Sequence, residues 1–395
     1  PADDVSASQL GSTPEVNVIW WFFDGPTRPL CTFNPTNGSC IADASSNVTL
    51  RGIRDSLHNS NIKVFATITD LQRTRAGQLR TYISTAANQK AYADRIAAWA
   101  VEAGVDGVDL DWENFAWRDG SSTWPTTRTS WIDWIKVLSA TLHDHNILLS
   151  ATVPADVPAN QGNGYMTLMD LYAWADIAPY IDRLRIMAYD YSFNRPGPIG
   201  PQNWVRQVLD LAVDQVGDAN RTKVWIGVAQ YGRDWWARSD SDGFITGPTC
   251  PEGWTPNDTG YDTLVPAGAW SRAASVGATV ANGRVTWDDV AKEWTYTYRK
   301  LHAAGTYPVT VDGVTTRQPK ACNATREVWF SDSRSAVTRA GLVADYRIGG
   351  IAVWNLTDVM DDFYPRLINY AKTIAQVPTT VDVQAPRVTR YGHTI

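Results

Sequence analysis

Apolar residues along this chain follow two rhythms that take turns from one end to the other. Val16 to Asp24 is a short unbroken apolar run, the mark of a buried strand. Val48 to His58 has helical spacing, and Lys63 to Thr69 reads as a second strand. Asn88 stands where it can cap a helix running through Tyr92, Ile96, Trp99 and Ala103, with Gly104 just past its end. Ser130 to His143 is helical, with Trp131, Trp134, Ile135 and Leu138 at core spacing. The alternation continues through a strand at Leu148 to Val153, a short helix at Asp170 to Ile177 and a strand at Leu184 to Asp190. A helix at Trp204 to Val213 and a strand at Val224 to Tyr231 follow. Ser335 to Tyr346 then predicts a helix, Gly350 to Trp354 a strand and Phe363 to Ile374 a last helix.

Strands that alternate with helices and are buried on both faces form parallel β/α units. About seven or eight such units favour an α/β fold of the closed (β/α)8 TIM-barrel kind over a doubly wound sheet. No Gly-x-Gly-x-x-Gly follows the first strand, which weakens a dinucleotide-binding alternative. The rhythm breaks between Trp235 and Thr325, in a stretch of Gly, Pro, Thr and Trp with a cysteine near each end. We read an insertion over residues 236–325, between strands 7 and 8. Residues 1–14 read as a disordered lead, 15–376 as the barrel and 377–395 as a linker to a further module.

One strand carries acids. In Asp106-Gly107-Val108-Asp109-Leu110-Asp111-Trp112-Glu113 the period of two puts Asp109, Asp111 and Glu113 on one face and Val108, Leu110 and Trp112 on the other. Three carboxylates within roughly 7 Å along a strand repel, and crowding raises their pKa values. That keeps a proton available near neutral pH, which suits an enzyme. The wet face of an antiparallel strand would also alternate, but Lys or Arg usually interrupts it. A helix-loop-helix calcium site needs a Gly at position six and a Glu at twelve, and neither is present.

Composition narrows the chemistry. The net charge is −6 and no Lys/Arg block occurs, so nucleic acid and anionic membranes are poor partners. No apolar run reaches the roughly 20 residues of a membrane helix. The 19 Trp residues favour a carbohydrate partner, because indole rings stack on sugar faces as well as filling cores. Cys31, Cys40, Cys250 and Cys322 lack metal spacing, and His143 and His145 do not face one site, so no metal is expected. The cysteines fit two disulfides, most simply Cys31–Cys40 and Cys250–Cys322, and hence a secreted protein. The start at Pro1, without Met or an apolar segment, means that any signal peptide is removed or left out of this sequence.

The acidic run resembles the Asp-Gly-x-Asp-x-Asp-x-Glu signature of glycoside hydrolase family 18, the chitinase-like enzymes. Met187-Ala188-Tyr189-Asp190 resembles the family's Met-x-Tyr-Asp, and Gly227-Val228-Ala229-Gln230-Tyr231-Gly232-Arg233 its Gly-x-Pro-x-Tyr-Gly-Arg. Gly349-Gly350-Ile351-Ala352-Val353-Trp354 resembles the strand-eight ending with a buried Trp. Tyr189-Asp190-Tyr191-Ser192, Pro196-Gly197-Pro198-Ile199 and the run from Glu327 to Arg334 point to the bacterial branch of spore-cortex and cell-wall glucosaminidases. Three departures stand out. Ala66-Thr67-Ile68-Thr69-Asp70 replaces the strand-three Ser-x-Gly-Gly, Asn114 stands where many chitinases have Tyr, and Ala229 replaces the strand-seven Pro. They argue against processive chitin degradation.

The resemblance implies a retaining, substrate-assisted hydrolase of β-1,4 linkages in N-acetylglucosamine-containing oligo- or polysaccharides, acting as a monomer without cofactor. Glu113 would be the acid and base, and Asp111 would hold the 2-acetamido group. Asp109 would share a proton or hydrogen bond with Asp111, and Tyr189 would bind the acetamide carbonyl. Substrate contacts would come from Asp190, Met187, Tyr231 and Trp354, the last also core packing, and from Trp20 at the end of the first strand. Trp117 and Trp124, on the loop after Glu113, are candidates for stacking on a neighbouring sugar. Two other readings compete: an endoglycosidase acting on N-glycan chitobiose cores, and a non-catalytic carbohydrate-binding barrel.

Overall fold

The computed structural model describes residues 15–20, 50–70, 76–113, 115–158, 167, 169–193, 195–236, 261–355 and 359–375. Seven strands form one parallel sheet: β1 (Glu15–Trp20), β2 (Lys63–Thr69), β3 (Gly107–Asp111), β4 (Leu148–Pro154), β5 (Arg183–Met187), β6 (Val224–Ala229) and β12 (Gly350–Trp354). Their spatial order is their order along the chain. A doubly wound sheet reverses direction partway, so that alternative is excluded. Among the described residues, no helix is long and apolar enough to cross a membrane.

Helices pack against this sheet. The helices α1 (Leu50–His58), α2 (Ala86–Ala103), α3 (Phe115–Asp119), α4 (Trp124–His143) and α5 (Gln202–Val216) lie between the parallel strands. The first turn of α2 is closed by Thr85, whose hydroxyl accepts from Asn88 N, so the cap is Thr85 and not Asn88. Gly104 ends α2 at φ 68°, the left-handed conformation that favours glycine there. Helix α4 begins six residues before the expected Ser130 because Pro125 occupies its first turn, where a missing N–H costs nothing. The segment expected as one helix from Asp170 is a 3-10 turn (Met169–Tyr172) followed by Trp174–Ile177, broken at Ala173 by a φ of 50°.

The alternation on β3 is realised as expected. Val108, Leu110 and Trp112 are fully buried toward the helices. Trp112 lies in a ring stack with Trp134 (5.9 Å, 6°), and Trp134 stacks in turn on Tyr92 (5.0 Å, 13°). Trp131 and Phe115 close the same cluster. Five aromatic side chains from α2, β3 and its edge, α3 and α4 thus meet beneath one end of the acidic strand.

Between β6 and β12 the chain builds a second, antiparallel sheet of order β8-β7-β11-β10-β9. Its strands are β7 (Gly232–Trp236), β8 (Tyr261–Leu264), β9 (Thr286–Asp288), β10 (Glu293–Val311) and β11 (Val314–Phe330), with α6 (Pro266–Ser275) packed against it. The sheet is wider than the expected excursion, starting at Gly232 and ending at Phe330. Its centre is ionic. Asp234, wholly buried, pairs with Arg326 Nε at 2.6 Å and with Arg272, and accepts from Tyr298 Oη at 2.6 Å. Helices α7 (Ser333–Tyr346) and α8 (Phe363–Ala375) flank β12. A second buried pair ties the layers together. Glu293 on β10 accepts from Ile199 N and Gly200 N at 2.7 and 2.8 Å and ion-pairs with Arg339 of α7 at 2.5 Å.

The aromatic stack yields the first expectation. Trp134→Ala removes the middle ring and leaves a cavity, so urea unfolding should show a loss of about 3–5 kcal/mol. A loss below about 1 kcal/mol would mean the stack is not a core.

Candidate active site

The ends of parallel strands in α/β folds are where side chains from several strands converge on one place. Here the convergence begins with Gly107. A Cβ on Gly107 would sit 2.2 Å from the ring of Phe65, its register partner on β2. The glycine lets that ring lie across β3, and the ring carries the Arg185 guanidinium at 4.7 Å. Arg185, buried on β5, reaches Asp109 at 3.3 Å. Asp109 also accepts from Thr67 Oγ1 (3.1 Å), Thr152 Oγ1 (3.0 Å) and Ser150 Oγ. Register explains the grouping, because Thr67, Asp109 and Ser150 form one row across β2, β3 and β4. Both oxygens of Asp109 are thereby engaged by hydroxyls and Arg185, in place of the expected hydrogen bond to Asp111. Asp106, the first acid of the run, has a structural task. It accepts from Val64 N at 2.7 Å and contacts His58 at 2.7 Å.

Asp111 stands one row further along, between Thr69 and Thr152. Its Oδ1 is buried and has no hydrogen-bond partner among the described residues. Burial first, then the charges of Glu113, Asp109 and Asp70, holds its carboxyl well above the usual carboxylate range. Glu113 is half-buried just past the strand. Burial, then Asp70 and Asp190, pushes its carboxyl up to about 7. The peptide unit joining Trp112 to Glu113 is held at both ends: Glu113 N donates to Asp70 Oδ1 at 2.9 Å, and Trp112 O accepts from Tyr172 Oη at 2.7 Å.

Tyr189 follows β5. Burial and the nearby Asp111, Glu113 and Asp190 raise its phenol well above the ordinary value, so it remains a donor. A Cβ on Gly227 would come within 2.8 Å of the Tyr189 ring, so β6 makes room for it there. Asp190 lies beyond the strand expected to include it, at φ 60°. Tyr231 Oη donates to it, and Arg233 pairs with it at 2.7 Å. The Arg233 guanidinium is itself stacked on Tyr261 (4.2 Å) and Phe193 (4.8 Å).

The remaining expected residues scatter more widely. Met187 is half-buried at the end of β5, and Trp20 ends β1 at the register position of Ile68. Trp354 is not the buried residue the motif suggested. It is 40 % exposed at the end of β12, and its carbonyl accepts from Gln230 N at 2.7 Å. Trp117 is 69 % exposed, on α3 and not on a loop, whereas Trp124 starts α4 and packs against the core. Cys31, Cys40 and Cys250 lie outside the described residues, as does the Cys322 side chain. Among the described residues, no cluster of three His, Cys, Asp or Glu could hold a metal ion. The residues not foreseen are Asp70, Arg185, Arg233 and Tyr172. For Asp70 a signal existed: it is an acid directly after an apolar strand.

The comparisons with known proteins agree with this geometry. A family model described as Glycosyl hydrolases family 18 matches residues 30–358. The uncharacterized glycosylase YvbX of Bacillus subtilis is 19% identical over 280 residues, covering 70% of this chain and 64% of that protein. Chitotriosidase-1 of Mus musculus is 28% identical over 216 residues, covering 48% of this chain and 43% of that protein. The chain spans less than two thirds of the length of the curated relatives it matches. Among solved structures, a chitinase from Chromobacterium violaceum superposes with a TM-score of 0.65 at 19% identity, over 92% of this chain and 94% of that one. The spore cortex-lytic enzyme SleL of Bacillus cereus superposes with a TM-score of 0.66 at 16% identity, over 92% and 69%. At such identities the superpositions show a shared fold.

The raised carboxyl of Glu113 has a cost in stability with a definite sign. The unfolded chain releases this proton near 4.5 and the native chain near 7. The native state is therefore favoured below about pH 4.5, and that advantage is lost as pH rises through about 7. Glu113→Gln removes the titration. Its melting temperature relative to the parent should be higher at pH 8 than at pH 4. An offset independent of pH would show that Glu113 titrates normally.

Proposed function

Since the chain belongs to glycosyl hydrolases family 18, we propose that it is a retaining glycoside hydrolase cleaving β-1,4 linkages in N-acetylglucosamine-containing glycans. The catalytic domain spans residues 15–376, with the seven strands completed to a closed (β/α)8 barrel and the second sheet inserted between its strands 7 and 8. The observation that carries the reading is the pairing of Asp111 with Glu113. One has a buried oxygen without a partner among the described residues, and the other holds its proton to about pH 7.

Each residue has a task in a substrate-assisted reaction. Glu113, protonated, gives its proton to the glycosidic oxygen as the bond to the anomeric carbon breaks. The substrate's own acetamide oxygen attacks that carbon and forms a cyclic oxazolinium. Asp111 accepts the acetamide N–H with its free oxygen, orienting the group and balancing the developing positive charge. Tyr189 donates to the acetamide oxygen, a task its retained phenol proton allows. Glu113, now ionised, takes a proton from water, which opens the oxazolinium from the original face and retains configuration. Asp190, fixed by Arg233 and Tyr231, accepts from a sugar hydroxyl. Trp354 and Trp117 present exposed ring faces to neighbouring sugars. A purely sugar-binding protein would have no use for a proton held on Glu113, so the catalytic reading is preferred. The polymer is chitin-like or peptidoglycan-like, and the enzyme acts outside the cell.

Glu113→Gln should lower kcat on chitooligosaccharides by about 10²–10⁴-fold, the usual contribution of a general acid. In the parent, kcat/KM should decline above about pH 7, as the acid form of Glu113 is lost. Proton NMR of fresh hydrolysate should show the β-anomer first, and substrates lacking the N-acetyl group at the reacting sugar should be inert. An α-anomer first product would mean direct attack by water and would sink the assisted mechanism. Oxidised pairing of Cys31–Cys40 and Cys250–Cys322 would go with the extracellular assignment. Mass mapping without reductant should find both bridges, and four free thiols would overturn it.

A further inference from the structure

The family's strand-three glycine pair is absent, and Thr69-Asp70 stands in that place. Asp70 is 1 % exposed, at the end of β2 that adjoins the end of β3 carrying Asp111 and Glu113. Its Oδ1 accepts the main-chain N–H of Glu113 at 2.9 Å. Arg118 of α3 reaches the Asp70 carbonyl oxygen at 3.4 Å, so the segment after Glu113 is tied back to the same residue. A carboxylate in this place brings a charge as well as an acceptor to Glu113.

We propose that Asp70 is a positioning residue for Glu113, pinning its main chain from the neighbouring strand and placing a negative charge beside its carboxyl. The inference rests on the reading of Glu113 as the general acid. A like charge disfavours ionisation of its neighbour, so Glu113 keeps its proton to a higher pH than burial alone would achieve. Among the described residues, the charged and titratable groups around Glu113 are Asp70 from β2, Asp111 from its own strand, Asp190 and Tyr189 from the segment after β5, Tyr172 from the 169–172 turn and Arg118 from α3. Asp190 is partly offset by Arg233, and Arg185 is committed to Asp109. Asp70 stands first among the charges that hold the Glu113 proton.

Asp70→Asn keeps an acceptor for the N–H and removes the charge. Its basic limb of kcat/KM against pH should move down by about one unit, the scale of one neighbouring charge. Asp70→Ala, which also loses the acceptor, should show the same displacement and a lower kcat. A limb that stays in place in Asp70→Asn overturns the proposal, even if overall activity falls, because a merely structural residue lowers the profile without displacing it. The ¹³C carboxyl titration of Glu113, followed in the parent and in Asp70→Asn, reads the same displacement without turnover. A parent that hydrolyses no N-acetylglucosamine oligosaccharide defeats the functional reading, and this titration still decides the coupling. Should Asp70→Asn fail to fold, Asp70→Ser keeps a small acceptor without the charge. The Glu113 carboxyl should then titrate at lower pH than in the parent, and an unchanged titration overturns the proposal.

Discussion

Everything in the site depends on one constraint: a strand of a parallel sheet is covered on both faces, so its acids cannot turn to water. β3 resolves this by dividing its two faces completely. The apolar side is anchored in the Tyr92, Trp112 and Trp134 stack, which fixes the strand's rotation. The acidic side is then forced into the interior, where each carboxylate must find its own compensation. Asp109 finds it in hydroxyls and Arg185. Asp111 and Glu113 do so only in part, and burial and the repulsion of neighbouring carboxylates hold their carboxyls above the usual range. The difference between neighbours two residues apart lies in where their partners turn: Thr152 and Arg185 stand in register with Asp111 but reach back to Asp109.

The same division explains how much was legible in the sequence. Alternation with period two cannot be mistaken when one side reads Val, Leu, Trp and the other Asp, Asp, Glu. The strands of the parallel sheet were likewise visible, because burial on both faces leaves unbroken apolar runs. The antiparallel sheet was not. β7 joins it across a long separation, pairing with β11, and although β10 and β11 form a hairpin about Asp312-Gly313, a pattern of Thr, Tyr and Arg around buried ions carries no apolar rhythm. The motif suggested that Trp354 would be core, but exposure depends on where β12 stops, which periodicity does not determine. Asp70 was visible only as a departure, because a lone acid after a strand is also how a turn begins. Arg185 sits mid-strand among apolar residues, where a charge reads as an anomaly until Phe65 and Asp109 are seen beside it.

Gly107 and Gly227 show what the motifs' glycines do. Neither needs a left-handed backbone. At Gly107 the Phe65 ring occupies the volume a methyl group would fill, and at Gly227 the Ile186 carbonyl and the Tyr189 ring together do so. The signature is therefore a packing pattern as much as a chemical one, and it positions Arg185 and Tyr189 without touching substrate.

The contact of Glu293 with Arg339, Ile199 and Gly200 has a consequence for how the molecule comes apart. Glu293 belongs to the antiparallel sheet, Arg339 to a helix of the parallel layer, and Ile199 and Gly200 to the segment that follows Asp190. Were the antiparallel sheet to open alone, Arg339 would be left as a buried charge without its counter-ion, at a penalty on the order of 3–5 kcal/mol. That penalty opposes separate fraying of the sheet and couples its opening to that of the parallel layer and of the segment that follows Asp190.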